Sequence, residues 1–292
     1  MVFSTWDWRC SDGTRMYACE WSPEQDGTIP AVIGFVHGMG EHMGRYAHVA
    51  DMLVAEGYAV LGFDQRGHGR TEGKRGHVPA YEDLLEGVDL LIGEARHRYP
   101  NAPFFLFGHS MGGNVTLNHL LRRQPDIAGA IVTGPWLKLA FKPPSLQAAI
   151  GKVIERVYPR FTNNRPINAQ NLTTDPDMVE RYVTDELGHG HITARFFFGV
   201  QRAGTWALEH AGRLTVPLLL MHGGDDKVTS IQASRRFAEL APPELVEWQE
   251  WPEYKHELHN ETGREEVFSV IRDWLKKQLD AERSPVSPLA SE

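Results

Sequence analysis

Apolar residues gather along the chain in two alternating patterns. Short runs at 31–38 (AVIGFVHG), 58–63 (YAVLGF), 104–108 (FFLFG), 127–134 (IAGAIVTG) and 216–224 (VPLLLMHGG) have strand length, most ending in glycine, as strands buried on both faces do. Between them lie residues spaced for one face of a helix: Tyr46, Val49, Ala50 and Leu53 up to Gly57, then Leu84, Val88, Leu91 and Ala95, then Leu117, Leu120 and Leu121. A last helix over 262–279 carries Phe268, Ile271, Leu275 and Leu279. LVEWQEW (245–251) reads as an edge strand, and a hairpin turning at Asp12-Gly13 as an antiparallel edge. This alternation predicts an α/β fold, a mostly parallel, doubly wound sheet covered on both faces.

One interval breaks the rhythm. Between 135 and 214 no buried strand is evident, and helical spacing (Ile150, Val153, Ile154, Val157) mixes with Pro143-Pro144, Asn163-Asn164 and Phe196-Phe197-Phe198. The expected organisation is therefore a core of 1–134 and 215–282, an inserted helical lid at 135–214, and a disordered tail at 283–292. The stripe from Ile150 to Val157 reads first as the packing face of a helix and second as a contact for an acyl chain.

Composition narrows the partners. A net charge of −8 over 292 residues argues against nucleic acid, which rewards clustered Lys and Arg. MVFSTWDWRC lacks a basic start followed by an apolar run, and no window approaches about 18 unbroken apolar residues. The expected address is the cytoplasm. With a two-residue turn at Asp12-Gly13, Cys10 faces Arg15 and Cys19 faces Trp6, too far apart to bridge, so both are expected as free thiols.

The candidate chemistry sits in FFLFGHSMGGNV (104–115). Gly108 and Gly113 have the spacing of a phosphate-binding loop, but Asn114 and Val115 stand where such a loop needs Lys and Ser or Thr. Ser110 stands where a dinucleotide fingerprint needs glycine. What remains is Gly108-His109-Ser110-Met111-Gly112, a glycine-x-serine-x-glycine elbow. A serine nucleophile needs a histidine base and a carboxylate to orient it, here in the chain order serine, acid, histidine. Ser110 follows FFLFG, Asp226 follows VPLLLMHGG and His256 follows LVEWQEWPEY. Asp226 is favoured over Asp225 by its distance from the His-Gly pair, and His256 competes with His259. A zinc protease would need histidine at Asn260. Backbone N–H groups of Met39 and Met111 fit an oxyanion hole, with Gly38 and Gly40 freeing the loop and His37 structural. Taken alone, Ser110 would equally suit a helix N-cap. Asp64 and Arg66 read as a buried ion pair or loop brace, and His189 and His191 as surface histidines rather than metal ligands.

Five motifs together resemble a known family: HGMGEHMGRY (37–46), FDQRGHGRTEGKRGHV (63–78), GHSMGG (108–113), HGGDDKV (222–228) and HELHNE (256–261). In this order they are similar to the α/β-hydrolases called monoacylglycerol lipases and their lysophospholipase relatives. Thr71, where that family usually has serine, and His259, where an apolar residue is common, depart from the pattern without touching the triad. The resemblance implies an α/β-hydrolase fold and cleavage of monoacylglycerol to fatty acid and glycerol through an acyl-enzyme on Ser110. It implies no metal or organic cofactor, and transient membrane or micelle contact through the lid. Alternatives are a lysophospholipase or broad carboxylesterase, or a slow-turnover receptor. An aminopeptidase would use lid carboxylates among Asp175, Asp177, Glu180, Asp185 and Glu186 to hold a free amine.

Overall fold

The computed structural model describes residues 1–24, 27–141 and 145–283. Pro143-Pro144 and the expected tail beyond Arg283 lie outside the described residues. The strands are β1 (Val2–Arg9), β2 (Arg15–Ser22), β3 (Val32–Val36), β4 (Ala59–Phe63), β5 (Phe104–His109), β6 (Gly129–Thr133), β7 (Thr162–Asn164), β8 (His191–Thr193), β9 (Leu218–Gly223) and β10 (Val246–Trp251). The α-helices are α1 (Ala47–Ala55), α2 (Glu82–Arg98), α3 (Met111–Arg123), α4 (Ser145–Val157), α5 (Pro176–Thr184), α6 (Ala194–Glu209), α7 (Ile231–Leu240) and α8 (Arg264–Arg283). Eight strands form one sheet in the order β1-β2-β4-β3-β5-β6-β9-β10, with β7 and β8 a separate pair. From β4 to β10 all neighbours are parallel, and β2 joins β1 and β4 antiparallel.

Both faces of the sheet are covered, which explains the unbroken apolar runs. Leu106 and Val132 point into a core with Leu84, Val88 and Leu117, while Phe105, Phe107 and Ile131 point into another with Val49, Leu53, Ile271 and Leu275. Successive strand residues therefore serve opposite layers, and neither layer leaves room for a polar alternation. The edge strands, β1 and β10, show the mixed burial expected where one flank is open.

The hairpin differs by one residue from the sequence expectation. Arg9 pairs with Arg15 and Thr5 with Cys19, and Cys10 N–H donates to Thr14 C=O at 3.0 Å, so three residues, Ser11 to Gly13, form the loop. Gly13 N–H donates to Cys10 C=O at 2.9 Å with Gly13 at φ 84°, the geometry of a turn closed by a left-handed residue. Cys10 and Cys19 are buried free thiols.

The chain leaves the sheet after β6 and returns at β9. The intervening residues hold α4, α5, α6 and the β7–β8 pair. Helix α6 packs on α3: Asn114 Nδ2 donates to Val200 C=O at 3.2 Å and to Trp136 C=O at 2.7 Å, and Asn118 Nδ2 donates to Ala203 C=O at 3.1 Å. The α4 stripe departs from its expected packing role. Ile150, Val153 and Val157 are 50%, 63% and 78% exposed, because that face of α4 turns away from α6.

A Cβ on Gly112 would lie 1.9 Å from Val36 C=O, a backbone contact that cannot relax by side-chain rotation. Gly112→Ala should therefore lower stability by about 3 kcal/mol or prevent folding. A denaturant melt within about 0.5 kcal/mol of wild type would contradict this close approach.

Candidate active site

β5 ends at His109 and α3 begins at Met111, so Ser110 alone makes the turn. It does so at φ 54°, ψ −115°, a region that non-glycine residues rarely occupy. Its backbone is held on both sides: Ser110 N–H donates to Thr133 C=O at 2.9 Å, and Ser110 C=O accepts from Asn114 N–H at 3.0 Å and Trp136 N–H at 2.9 Å. The side chain is thereby presented at the end of the sheet.

Ser110 Oγ lies 2.8 Å from His256 Nε2, and His256 Nδ1 lies 2.7 Å from Asp226 Oδ2. A carboxylate only accepts, so Nδ1 carries the proton and leaves Nε2 free to accept from the serine hydroxyl. Asp226 also accepts from Val228 N–H at 2.7 Å and Thr229 N–H at 3.0 Å, with Thr229 Oγ1 at 2.8 Å and His222 Nε2 at 3.1 Å. Burial disfavours its charge, but His256 and His222 outweigh that and hold the carboxyl well below the usual range. Burial likewise opposes a charged His256, yet Asp226, with help from Glu257 and Glu41, raises its pKa.

The structure thus brings together Ser110, Asp226 and His256 and leaves their sequence competitors aside. Asp225 pairs with Lys227 at 2.5 Å with its side chain about half exposed. His259 is buried, stacked on Tyr46 with ring centroids 5.0 Å apart. The loop of residues 38–40 runs against the serine: a Cβ on Gly38 would lie 3.3 Å from Ser110 Cβ, and Gly40 adopts φ 77°. Met39 sits in this loop, and Met111 opens α3, where its N–H has no intrahelical acceptor.

The neighbouring polar residues brace these loops. His37 Nδ1 donates to Gly38 C=O at 2.8 Å while Nε2 accepts from Gln65 N–H at 2.9 Å, and burial holds its pKa down at about 3. Asp64 accepts from Met43 N–H at 2.7 Å and Arg70 N–H at 2.8 Å. Arg66 pairs not with Asp64 but with Asp12, at 2.5 Å. His189 and His191 are half-buried rather than surface residues; His189 N–H donates to Gly40 C=O at 3.0 Å and its Nε2 to Gly67 C=O at 3.0 Å.

Sequence reasoning passed over one cluster. Arg45 bridges the buried carboxylates of Glu41, at 3.3 Å, and Glu257, at 3.0 Å. The signal was available: Glu41 and Arg45 are four apart, and Glu257 follows His256. Such charges are seldom buried unless paired.

The description "Serine aminopeptidase, S33" belongs to the family model that matches residues 27–263. An uncharacterised abhydrolase domain-containing protein of Dictyostelium discoideum is 32% identical over 92% of this chain, which spans 28% of that protein's length. A monoacylglycerol lipase of Mycolicibacterium smegmatis is 30% identical, over 91% of this chain and 95% of its own. The crystal structure of Paleococcus ferrophilus monoacylglycerol lipase superposes with a TM-score of 0.81 at 31% identity, covering 90% of this chain and 99% of the other. The fold is that of an α/β-hydrolase, and the chain belongs to the monoacylglycerol lipase and lysophospholipase branch of these enzymes, within the serine aminopeptidase S33 family.

Proposed function

We propose that this chain is a serine ester hydrolase that cleaves monoacylglycerol to free fatty acid and glycerol. The observation that carries the chemistry is the relay from Asp226 through His256 to Ser110, with contacts of 2.7 and 2.8 Å. Ser110 Oγ attacks the ester carbonyl carbon as His256 Nε2 takes its proton. The oxyanion is held by the N–H groups of Met39 and Met111. Collapse breaks the ester bond, and His256 returns the proton to the departing glycerol oxygen. Water, deprotonated by His256, then attacks the acyl carbonyl carbon; the acyl–Oγ bond breaks, His256 returns the proton to Ser110 Oγ, and the fatty acid leaves. No step requires a metal or organic cofactor.

The ester reading is supported over the aminopeptidase one by the state of the candidate carboxylates. Asp175 caps α5 and pairs with Arg264 at 2.9 Å, and Asp185 pairs with His42 at 2.9 Å. Asp177, Glu180 and Glu186 are exposed. The lipid reading draws on relatives named monoacylglycerol lipases. We assign residues 135–214 the role of a substrate-selecting cap. Its outer face, with Ile150, Val153, Val157, Tyr158 and Phe161 exposed, suits transient contact with a membrane or micelle. No helix of the described residues is long and apolar enough to cross a membrane. Two buried free thiols suit the reducing cytoplasm, where we place the protein.

Ser110→Ala should remain folded and lose hydrolysis by about 10³-fold or more. The check is a panel of monoacylglycerol, lysophosphatidylcholine, 4-nitrophenyl esters and amino-acid amides, with monoacylglycerol cleaved fastest by wild type; retained turnover in the variant would remove the assignment.

Only neutral His256 can act as base, so kcat/KM should fall as pH drops through its pKa. Because that pKa is raised, the acidic limb should lie above the ordinary histidine value of 6.5. A flat profile between about pH 5 and 8 would be incompatible with this base.

Val153→Glu with Val157→Glu should reduce hydrolysis of vesicle-borne monoacylglycerol by about fivefold or more while sparing a soluble short-chain ester. An equal effect on both substrates would refute the docking role.

A further inference from the structure

Behind His256 lies a compact set of ionisable groups that the serine chemistry does not use. Oxygens of Glu41 and Glu257 and a ring nitrogen of His109 fall within 4.8 Å of one another. The rings of His109 and His256 are 4.8 Å apart between centroids. Glu41 Oε1 abuts the loop of residues 38–40, where a Cβ on Gly38 would lie 2.1 Å from it and 3.3 Å from Ser110 Cβ. Arg45 Nη2 donates to both oxygens of Glu257 at 3.0 Å, and Arg45 Nε to Glu41 Oε2 at 3.3 Å. Tyr46 hydroxyl donates to Glu41 at 3.3 Å and Asn260 Nδ2 to Glu257 at 2.6 Å. The side chains of Glu41, Glu257 and Arg45 are 5%, 3% and 10% exposed.

We propose that Glu41 and Glu257, pinned on the single guanidinium of Arg45, are positioning residues that strengthen His256 as a base by placing surplus negative charge beside its ring. The inference rests on the Ser110–His256 chemistry proposed above. One guanidinium cannot neutralise two ionised carboxylates, so the cluster carries up to one unmatched negative charge in a setting where water screens it poorly. Glu41 feels the charges of Glu257, Arg45 and His256 and the Tyr46 hydroxyl, His256 also that of Asp226, Arg45 that of Asp185, and Glu257 acts on His48. His109 and His259, against the same space, are kept neutral by burial, and from the inserted segment Tyr182 lies 4.9 Å from the Arg45 guanidinium.

Each end of this interaction biases the protonation of the other. Burial and the charge of Glu257 push Glu41 up to about 7, against the pull of Arg45 and His256. When His256 becomes an imidazolium during attack, the ionised form of Glu41 is favoured. When Glu41 is protonated, the imidazolium loses a counter-charge. Asp226 orients the ring through Nδ1, whereas the Glu41–Glu257 pair acts through space, so its removal should alter base strength without altering the serine contact.

The test is kcat/KM and kcat between pH 5 and 9 on a soluble 4-nitrophenyl ester for wild type, Glu41→Gln, Glu257→Gln and Glu41→Asp. Glu41→Gln should move the acidic limb down by about half a pH unit or more and lower the plateau kcat about three- to tenfold, with KM little changed. Glu41→Asp, which keeps the charge, should restore the wild-type limb. Glu257→Gln should move the limb in the same direction. A limb unmoved in both glutamine variants would overturn the inference, whatever happens to the plateau, because a bracing role alone scales the rate without moving the limb. Should the variants fail to fold, NMR titration of wild type decides it: a Glu41 carboxylate titrating in step with the His256 ring supports the coupling, and independent titrations overturn it. A wild type without turnover, or Ser110→Ala that retains it, would instead remove the triad reading itself.

Discussion

Ser110 stands at φ 54°, and the arrangement of the site depends on keeping it there. A non-glycine residue in such a conformation costs about 1–3 kcal/mol and persists only where its surroundings over-determine it. Here they do so from three directions. β6 accepts the serine N–H through Thr133, and the loop after β6 returns a hydrogen bond to its carbonyl through Trp136. α3 is drawn so close to β3 that position 112 has no space for a side chain beside the Val36 carbonyl. Lifting α3 would release the turn, and the hydroxyl would leave the 2.8 Å contact with His256.

A second constraint is the burial of many titratable groups in one region. His37, His68, His109 and His259 all have their pKa values lowered by burial. His256 is equally enclosed and goes the other way, because Asp226 meets its Nδ1 at 2.7 Å. Burial near Ser110 therefore does not by itself raise a histidine's pKa. A carboxylate whose other lone pairs are already satisfied by Val228 and Thr229 does.

The same physics explains what the sequence disclosed. Strands buried on both faces give continuous apolar runs, so the parallel sheet and its helices could be read directly. The order of Ser110, Asp226 and His256 was legible because each follows such a strand. The hairpin register was not, since Ser11-Asp12-Gly13 supports a two- or three-residue turn, and Gly13 at φ 84° settles it. For α4 the periodicity revealed an apolar face but not its neighbour, and Val157 is 78% exposed. Glu41 and Glu257 escaped notice because acidic residues are ordinarily solvated, and only the fold brings both to Arg45.

The segment between β6 and β9 is attached to the core with unequal strength. Asn114 and Asn118 fasten α6 to α3, and a Cβ on Gly204 would lie 2.2 Å from the Leu137 carbonyl. The chain around Asp185 and His189 is bound to the loop beside Ser110, through His42 at 2.9 Å and Gly40 at 3.0 Å. Moving either part would break buried hydrogen bonds or disturb the loop that carries Met39. By contrast, the ties of α4 among the described residues include the Glu155–Arg202 pair and the packing of Gly151 on Phe198. Arg202 is 64% exposed on its side chain, and an ion pair with an exposed partner contributes only about 0–1 kcal/mol. Displacement over this segment should therefore concentrate in α4, the helix that also presents the exposed apolar face, while α6 and the chain at 185–189 remain part of the frame that holds the serine.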